Sequence, residues 1–235
     1  MRLRISKVAV ISLATAVLLQ GCVNTTHQKI TRLSADGRTS KVVLMPVDVT
    51  LGHLTTGGAF EIQAEWTARG EANVRKSVSA FLEKQNAGFV EYRKPTEAER
   101  DALHTQLVKL HRVVGASILT FQYQGPAQLP TKKDGFDWSL GPDMKDIGRL
   151  SEADYALFVH MKDSYATAGR VAIMIIAALL NAPVQGGQQV GFASLVDLKS
   201  GDVVWFNALV RGEGDLREEA PAASAVEMLL ANFPK

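Results

Sequence analysis

A single cysteine, Cys22, is all the thiol chemistry available to this 235-residue chain. That excludes an intrachain disulfide, and with it the bridged scaffolds of small exported domains. Long apolar runs are also lacking. Val8 to Leu19 is broken by Ser12 and Thr15 and falls short of the roughly 20 residues a spanning helix requires, and Val171 to Leu180 is shorter still. No G-x-S-x-G elbow, H-E-x-x-H pair or Gly-rich phosphate loop with a following Lys occurs, so the linear signatures of serine hydrolases, zincins and nucleotide-binding proteins are absent. There is no internal repeat.

The first 21 residues set the compartment. Arg2, Arg4 and Lys7 precede the apolar Val8 to Leu19 run, the layout of an export signal. The run closes on Leu19-Gln20-Gly21-Cys22, which resembles a lipobox, with Gln20 standing where a small residue is usual. The resemblance implies lipidation of Cys22. Because Val23 rather than Asp follows, it also implies sorting to the outer membrane of a Gram-negative cell, with the domain facing the periplasm. Three of the 26 basic residues and no acidic ones lie before Cys22, which leaves 23 basic against 24 acidic residues afterwards. The near-neutral remainder has no basic stripe, and a nucleic-acid partner is set aside.

The organisation expected is therefore a signal peptide over 1–21, a lipidated flexible tether over 22–40, and a single α/β domain over 41–235. Asn24, Thr25, Thr26, Gln28, Ser34, Asp36 and Gly37 make the tether polar and aperiodic. A coil of that length spans roughly 25 Å.

Within the domain, VVLMPVDV (Val42 to Val49) predicts a buried strand that Pro46 turns into an edge or bulge. Ile62, Trp66, Val74, Val78, Phe81 and Leu82 mark a helix from about Phe60 to Lys84. Phe89 to Tyr92 predicts a short strand. Thr96 and Glu99 fit a capping box for a helix that carries Leu103, Leu107, Leu110 and Val114 and ends at Gly115, after which Ser117 to Tyr123 reads as a strand. Tyr155 to Met161 predicts another strand, and Val171 to Leu180 a buried helix. Gln189 to Leu198 and Asp202 to Val210 flank Lys199-Ser200-Gly201 as a hairpin. A final helix follows Pro221. This order favours a mixed β-sheet covered by helices, part parallel and part antiparallel.

VVLMPVDV, Ala153-Asp154-Tyr155-Ala156-Leu157-Phe158-Val159, Ala193 to Leu198 and Ser200 to Trp205 together resemble the fold shared by the TolB amino-terminal domain and the curli-secretion (CsgG-like) lipoproteins. With Asp137 to Gly141 and Ser164 to Arg170, the chain also resembles a proteobacterial lipoprotein family of unassigned function. The resemblance implies a role as a channel subunit, a regulator docked on an envelope enzyme, or an assembly factor. A pore would need strands of about 9–11 residues in the membrane. Only the hairpin around Gly201 is long enough, and it reads as sheet core.

Candidate chemistry is sparse. His104 and His111 lie seven apart, about 10 Å along a helix axis, and read as solvated rather than as metal ligands. Glu97, Glu99 and Asp101 begin a helix, where acidic residues serve capping and the dipole. His160 and Asp163 would face opposite sides of a strand. Ser164 and Thr167 precede an apolar helix with Gly169 and Arg170 nearby, a setting in which backbone N–H groups could hold an anion, but Ser164 reads as a helix cap. No cofactor or metal is expected.

Two segments are better candidates for partners. The connection from Gln124 to Asp143 is long and carries Phe136 and Trp138 beside Lys132 and Lys133, which suits either a contact surface or a flap folded over the sheet. Ile173, Ile175 and Ile176, in the apolar run, are candidate oligomer or membrane contacts. The expectation is a non-enzymatic outer-membrane lipoprotein that docks envelope proteins or copies of itself. A ring-forming export subunit is the alternative, and an envelope enzyme with a site built from distant loops is the alternative of another class.

Overall fold

Alternation along the central strands builds the molecule. The computed structural model describes residues 25–235 apart from 36–37, 86–87, 124–126 and 213. The signal peptide and Cys22 lie outside the described residues. In chain order the elements are β1 (Thr25–Gln28), β2 (Ser34–Ala35), β3 (Arg38–Thr39), β4 (Lys41–Leu44), β5 (Asp48–Leu54), β6 (Phe60–Ile62), α1 (Ala64–Lys84), β7 (Gly88–Glu91), α2 (Ala98–Tyr123), α3 (Met144–Ser151), β8 (Tyr155–Ala166), α4 (Ala168–Leu179), β9 (Gln189–Asp197), β10 (Val203–Arg211) and α5 (Glu219–Leu229).

Eight strands form one sheet in the order β1-β10-β9-β8-β4-β7, with β5 continuing beside β8 beyond the end of β4 and β6 paired to β5. β4 is parallel to β7 and β8, and β5 is parallel to β8, while the remaining pairs of this sheet are antiparallel. The mixed α/β class read from the sequence is what the structure shows. Pro46 accounts for the step from β4 to β5, since a proline has no N–H for the ladder. One apolar stretch therefore becomes two strands along the same neighbour.

Each face of the sheet has its own core. Val42, Leu44, Leu157, Val159, Leu195 and Trp205 meet Val74, Val78 and Leu82 of α1 and Ala222, Ala225, Val226 and Leu229 of α5. Val43, Ala156, Phe158, Phe192, Val196 and Phe206 meet Leu107 and Ile118 of α2 and Met144 and Ile147 of α3 on the other. Neighbours in sequence such as Leu157 and Phe158 thus go to opposite cores, as the period of two requires. The β9–β10 hairpin lies inside the sheet and is buried along most of its length. It closes through Gly201, which has φ +84°.

Three expectations are corrected. The segment read as a tether is docked: β1 pairs with β10 in the register Thr25↔Ala208 to Gln28↔Trp205, Leu33 is buried, and its N–H donates to the Lys235 carbonyl. Its few apolar residues, Ile30 and Leu33, suffice to hold it because a sheet edge supplies the backbone partners. The helix expected to stop at Gly115 runs on to Tyr123, so no strand exists over Ser117 to Tyr123. The helix expected to be buried over Val171 to Leu180 forms as α4 but has no buried residue.

Candidate functional site

The sheet's register assembles a histidine cluster that sequence spacing does not show. Asp48 of β5 and His160 of β8 are direct partners in the ladder, and the His160 Nδ1 lies 3.0 Å from the Asp48 carboxylate. Arg112 of α2 reaches the same carboxylate at 3.6 Å. Burial opposes ionisation of Asp48, but the hydrogen bond from His160 and the charges of Arg112 and the histidines hold its carboxyl below the usual value. His160 and Asp163 diverge, as a strand requires; Asp163 instead accepts from the Tyr165 hydroxyl at 2.6 Å, the Gln189 amide at 2.8 Å and the Leu216 N–H at 3.2 Å.

His104 and His111 are both buried, which corrects the solvated reading of that helix face. They sit under α2 because it packs flat on the sheet, with α3 closing its flank. His104 lies 3.0 Å from Asp146 through Nε2 and 3.0 Å from the Tyr92 hydroxyl through Nδ1. A carboxylate only accepts, so the Nε2 facing Asp146 carries a proton. Asp101 pairs with Lys94 at 3.2 Å rather than with His104.

His111 has its Nε2 2.9 Å from Ser194 Oγ, and its ring stacks on Phe158. The pair has the look of a nucleophile and its base, yet Ser194 is 0 % exposed. Burial lowers the His111 pKa to about 3, with His160 adding to the effect and Asp48 opposing it. A hydroxyl sealed from solvent beside so weak a base has neither access nor activation. Among the described residues no group of three or more His, Cys, Asp or Glu side chains converges to hold a metal ion.

The groove beside this cluster has a volume of about 430 Å³ and is lined by Asp48, Tyr92, Lys94, His104, Lys109 and Arg112, among others. Its polar groups are mostly committed to one another, which leaves a notch rather than a charged receptor.

The connection before α3 folds back. Phe136 is buried in the second core and stacks on His27 with ring centroids 3.8 Å apart. Trp138 packs against the same core and donates its indole N–H to Gln122 Oε1 at 3.0 Å. Lys132 is paired with Asp137 and lies over the Trp138 ring, and Lys133 alone of the four candidates is exposed and outside these contacts. The flap reading holds for Phe136 and Trp138, and the contact surface expected there is corrected.

Among the described residues, exposed large apolar side chains are most concentrated on and just after α4. Thr167, not Ser164, caps it, accepting from the Arg170 N–H at 3.3 Å, while Ser164 exchanges hydrogen bonds with the Gln188 backbone. Ile173, Ile175, Ile176 and Leu179 are 39 %, 59 %, 55 % and 79 % exposed. Arg170, Met174 and Ala177 are the half-buried side, one helical stripe at i, i+4 and i+7. The Arg170 guanidinium donates twice to the Gln185 carbonyl, at 3.1 and 2.8 Å, and fixes the helix to the 182–188 segment. No described helix is long and apolar enough to cross a membrane. The sequence marked the three isoleucines and also Thr167 and Arg170 beside the helix start, but gave the cap to Ser164 and did not show the Arg170 clamp; a capping residue directly before the apolar run is the signal that points to Thr167.

No protein-family model matches this chain, and no curated protein does. Among solved structures it is similar to a PelC dodecamer from Paraburkholderia phytofirmans, with 13 % identity over 91 % of this chain and 98 % of that one and a TM-score of 0.44. It is similar to the LpoB C-terminal domain from Salmonella enterica, with 12 % identity over 77 % and 90 % and a TM-score of 0.30. It is similar to lipoprotein GNA1162 from Neisseria meningitidis, with 14 % identity over 83 % and 99 % and a TM-score of 0.32.

Proposed function

We propose that this protein is a non-enzymatic lipoprotein of the bacterial envelope, anchored in the outer membrane through Cys22, that acts as a docking or assembly factor. The observation that carries the proposal is α4, a capped and clamped helix whose exposed positions are all apolar. A monomeric soluble domain rarely leaves such a patch uncovered, and large exposed patches mark contact surfaces. What α4 offers is area without reactive groups, which suits binding rather than catalysis.

Two tests follow. Cys22→Ser is expected to move the protein from the membrane fraction to the soluble one and to abolish incorporation of labelled palmitate; retention in the outer membrane without labelling of the wild type would refute the anchor. Ile175→Glu is expected to leave the thermal midpoint within about 2 °C of wild type, because a surface substitution is worth under about 0.5 kcal/mol. Its contact through this face in native envelopes, read by crosslinking to protein or to lipid, is expected to be lost. A variant that unfolds would place Ile175 in the core and remove the basis of the proposal.

A further inference from the structure

We propose that α4 rests on the bilayer surface that holds the Cys22 lipid, so that the domain is seated on the membrane at two points. This rests on the reading of α4 as a contact surface and names what covers it.

The strand register sets the geometry. β1 pairs antiparallel with β10 in the order Thr25↔Ala208 to Gln28↔Trp205, so the chain leading into Thr25 comes from the direction of Arg211. Arg211 is opposite Gln189 in β9, and Gln189 is opposite Asp163 in β8. From Asp163, β8 runs only to Ala166, and α4 begins at Ala168. The chain therefore enters the sheet from the end at which α4 leaves it. The other end carries Tyr155, Asp197 and the Lys199 to Gly201 turn.

Distances keep the anchor there. Cys22 is three residues before Thr25, a separation that even a fully extended chain cannot stretch beyond about 11 Å. Docking of β1 is what makes the leash short, since the long coil expected from composition would have let the domain tumble. β1 and β8 are three strand spacings apart, roughly 14 Å. A 12-residue helix such as α4 is itself about 18 Å long. Thr25 is level with His160 through Ala208 and Phe192, about 26 Å of strand before the start of α4, so an anchor extended toward α4 enters the bilayer roughly 20 Å from that start.

The distribution of apolar residues selects lipid over a protein partner. A protein laid against a helix covers one stripe of roughly 100°. On α4 the domain already takes the stripe of Arg170, Met174 and Ala177, and apolar side chains occupy every other position from Val171 to Leu180. A helix settled about 5–10 Å into the headgroup and acyl boundary buries its flanks as well as its lowest face. The helix is too short to span, which keeps it in the interface. The Arg170 clamp to Gln185 fixes its orientation relative to the sheet. The Lys199 to Gly201 end is then turned away from the membrane, toward the periplasm.

The test uses the full-length lipidated chain reconstituted in phosphatidylethanolamine and phosphatidylglycerol vesicles. Ile175→Cys and Lys199→Cys are labelled separately with an environment-sensitive nitrobenzoxadiazole dye, the acylated Cys22 being unreactive. At 175 the emission is expected to shift to the blue, to be quenched by nitroxide-bearing lipids, and to be reduced by aqueous dithionite about tenfold more slowly than at 199. Equal reduction at the two sites in vesicles overturns the bilayer inference. If 175 is then protected in native envelopes, a protein covers α4 and the docking proposal stands; if it is exposed there too, that proposal falls as well. Protection in vesicles that rises with protein density and shows no nitroxide quenching assigns α4 to a second copy of the chain and overturns the inference.

Discussion

Gly115→Ala is expected to destabilise the protein by about 2 kcal/mol, although the same change in an exposed helix would stabilise it by about 1 kcal/mol. The reason is the approach of α2 to the sheet. A Cβ at position 115 would stand 2.1, 2.4 and 2.7 Å from three carbons of the Phe192 ring. That ring is buried and walled by His111, His160 and Phe206, with centroid distances of 5.4, 4.9 and 6.0 Å, so it has no nearby rotamer to move into. Either α2 lifts off the sheet or the aromatic cluster shifts, and overpacking of this kind costs about 1–3 kcal/mol. The midpoint should fall by roughly 4–8 °C for a domain of this size. Phe192→Leu is destabilising on its own, but combined with Gly115→Ala it is expected to cost less than the two separate losses added, because the smaller side chain makes room for the new methyl. A Gly115→Ala variant more stable than wild type would refute the packing argument.

The same glycine shows where sequence reading stops. In a linear pattern, a glycine after Leu103, Leu107, Leu110 and Val114 looks like a helix end, because conformational freedom is the commonest reason for a glycine there. Its use here is closeness, set by Phe192 some 77 positions away, and no local pattern carries that. The strands of the core were legible because alternation is local: Leu157 and Val159 on one face and Ala156 and Phe158 on the other follow from the period of two. So was the β9–β10 hairpin, from its turn residues. β1 was not, since its four residues are stabilised by the free edge of β10 rather than by their own hydrophobicity.

The site divides in the same way. Ile173, Ile175 and Ile176 could be picked out by composition, but whether they face the core or solvent depends on where β8 ends and what the Arg170 clamp holds. An apolar run is the same string whether it is interior or interface. The histidines were misjudged for the converse reason. His104 and His111 look like polar members of a half-exposed helix, and Asp146 of α3, the Tyr92 hydroxyl and Ser194 of β9 make their burial tolerable.

Burial of His111 gives the protein a specific acid sensitivity. The folded state holds the imidazole neutral down to a pKa of about 3 against an ordinary value of 6.5. Below pH 6.5 the unfolded chain therefore takes up a proton that the native state refuses, and stability falls as pH drops from 6.5 toward 3 by up to about 1.4 kcal/mol per unit. The loss from this one ring is on the order of 5 kcal/mol across that window. Asp48 acts in the same sense at the acid end, because its lowered pKa gives stability that is present above the usual carboxylate value and lost as pH falls through the folded one. Asp163 acts in the opposite sense. Burial raises its pKa, with Asp215 adding to the rise against the hydrogen bonds it accepts, so its contribution favours the fold at low pH and is lost as pH rises through the folded value. His111→Leu removes the largest of these dependences. At pH 7.5 it is expected to cost about 1–2 kcal/mol, since Ser194 Oγ loses the imidazole partner while buried. Urea unfolding measured between pH 7.5 and 4 should show a steep decline for wild type and a nearly flat one for the variant, so that the two curves converge or cross near pH 5. Parallel curves over that range would mean that the ring is charged, or solvated, in the native state.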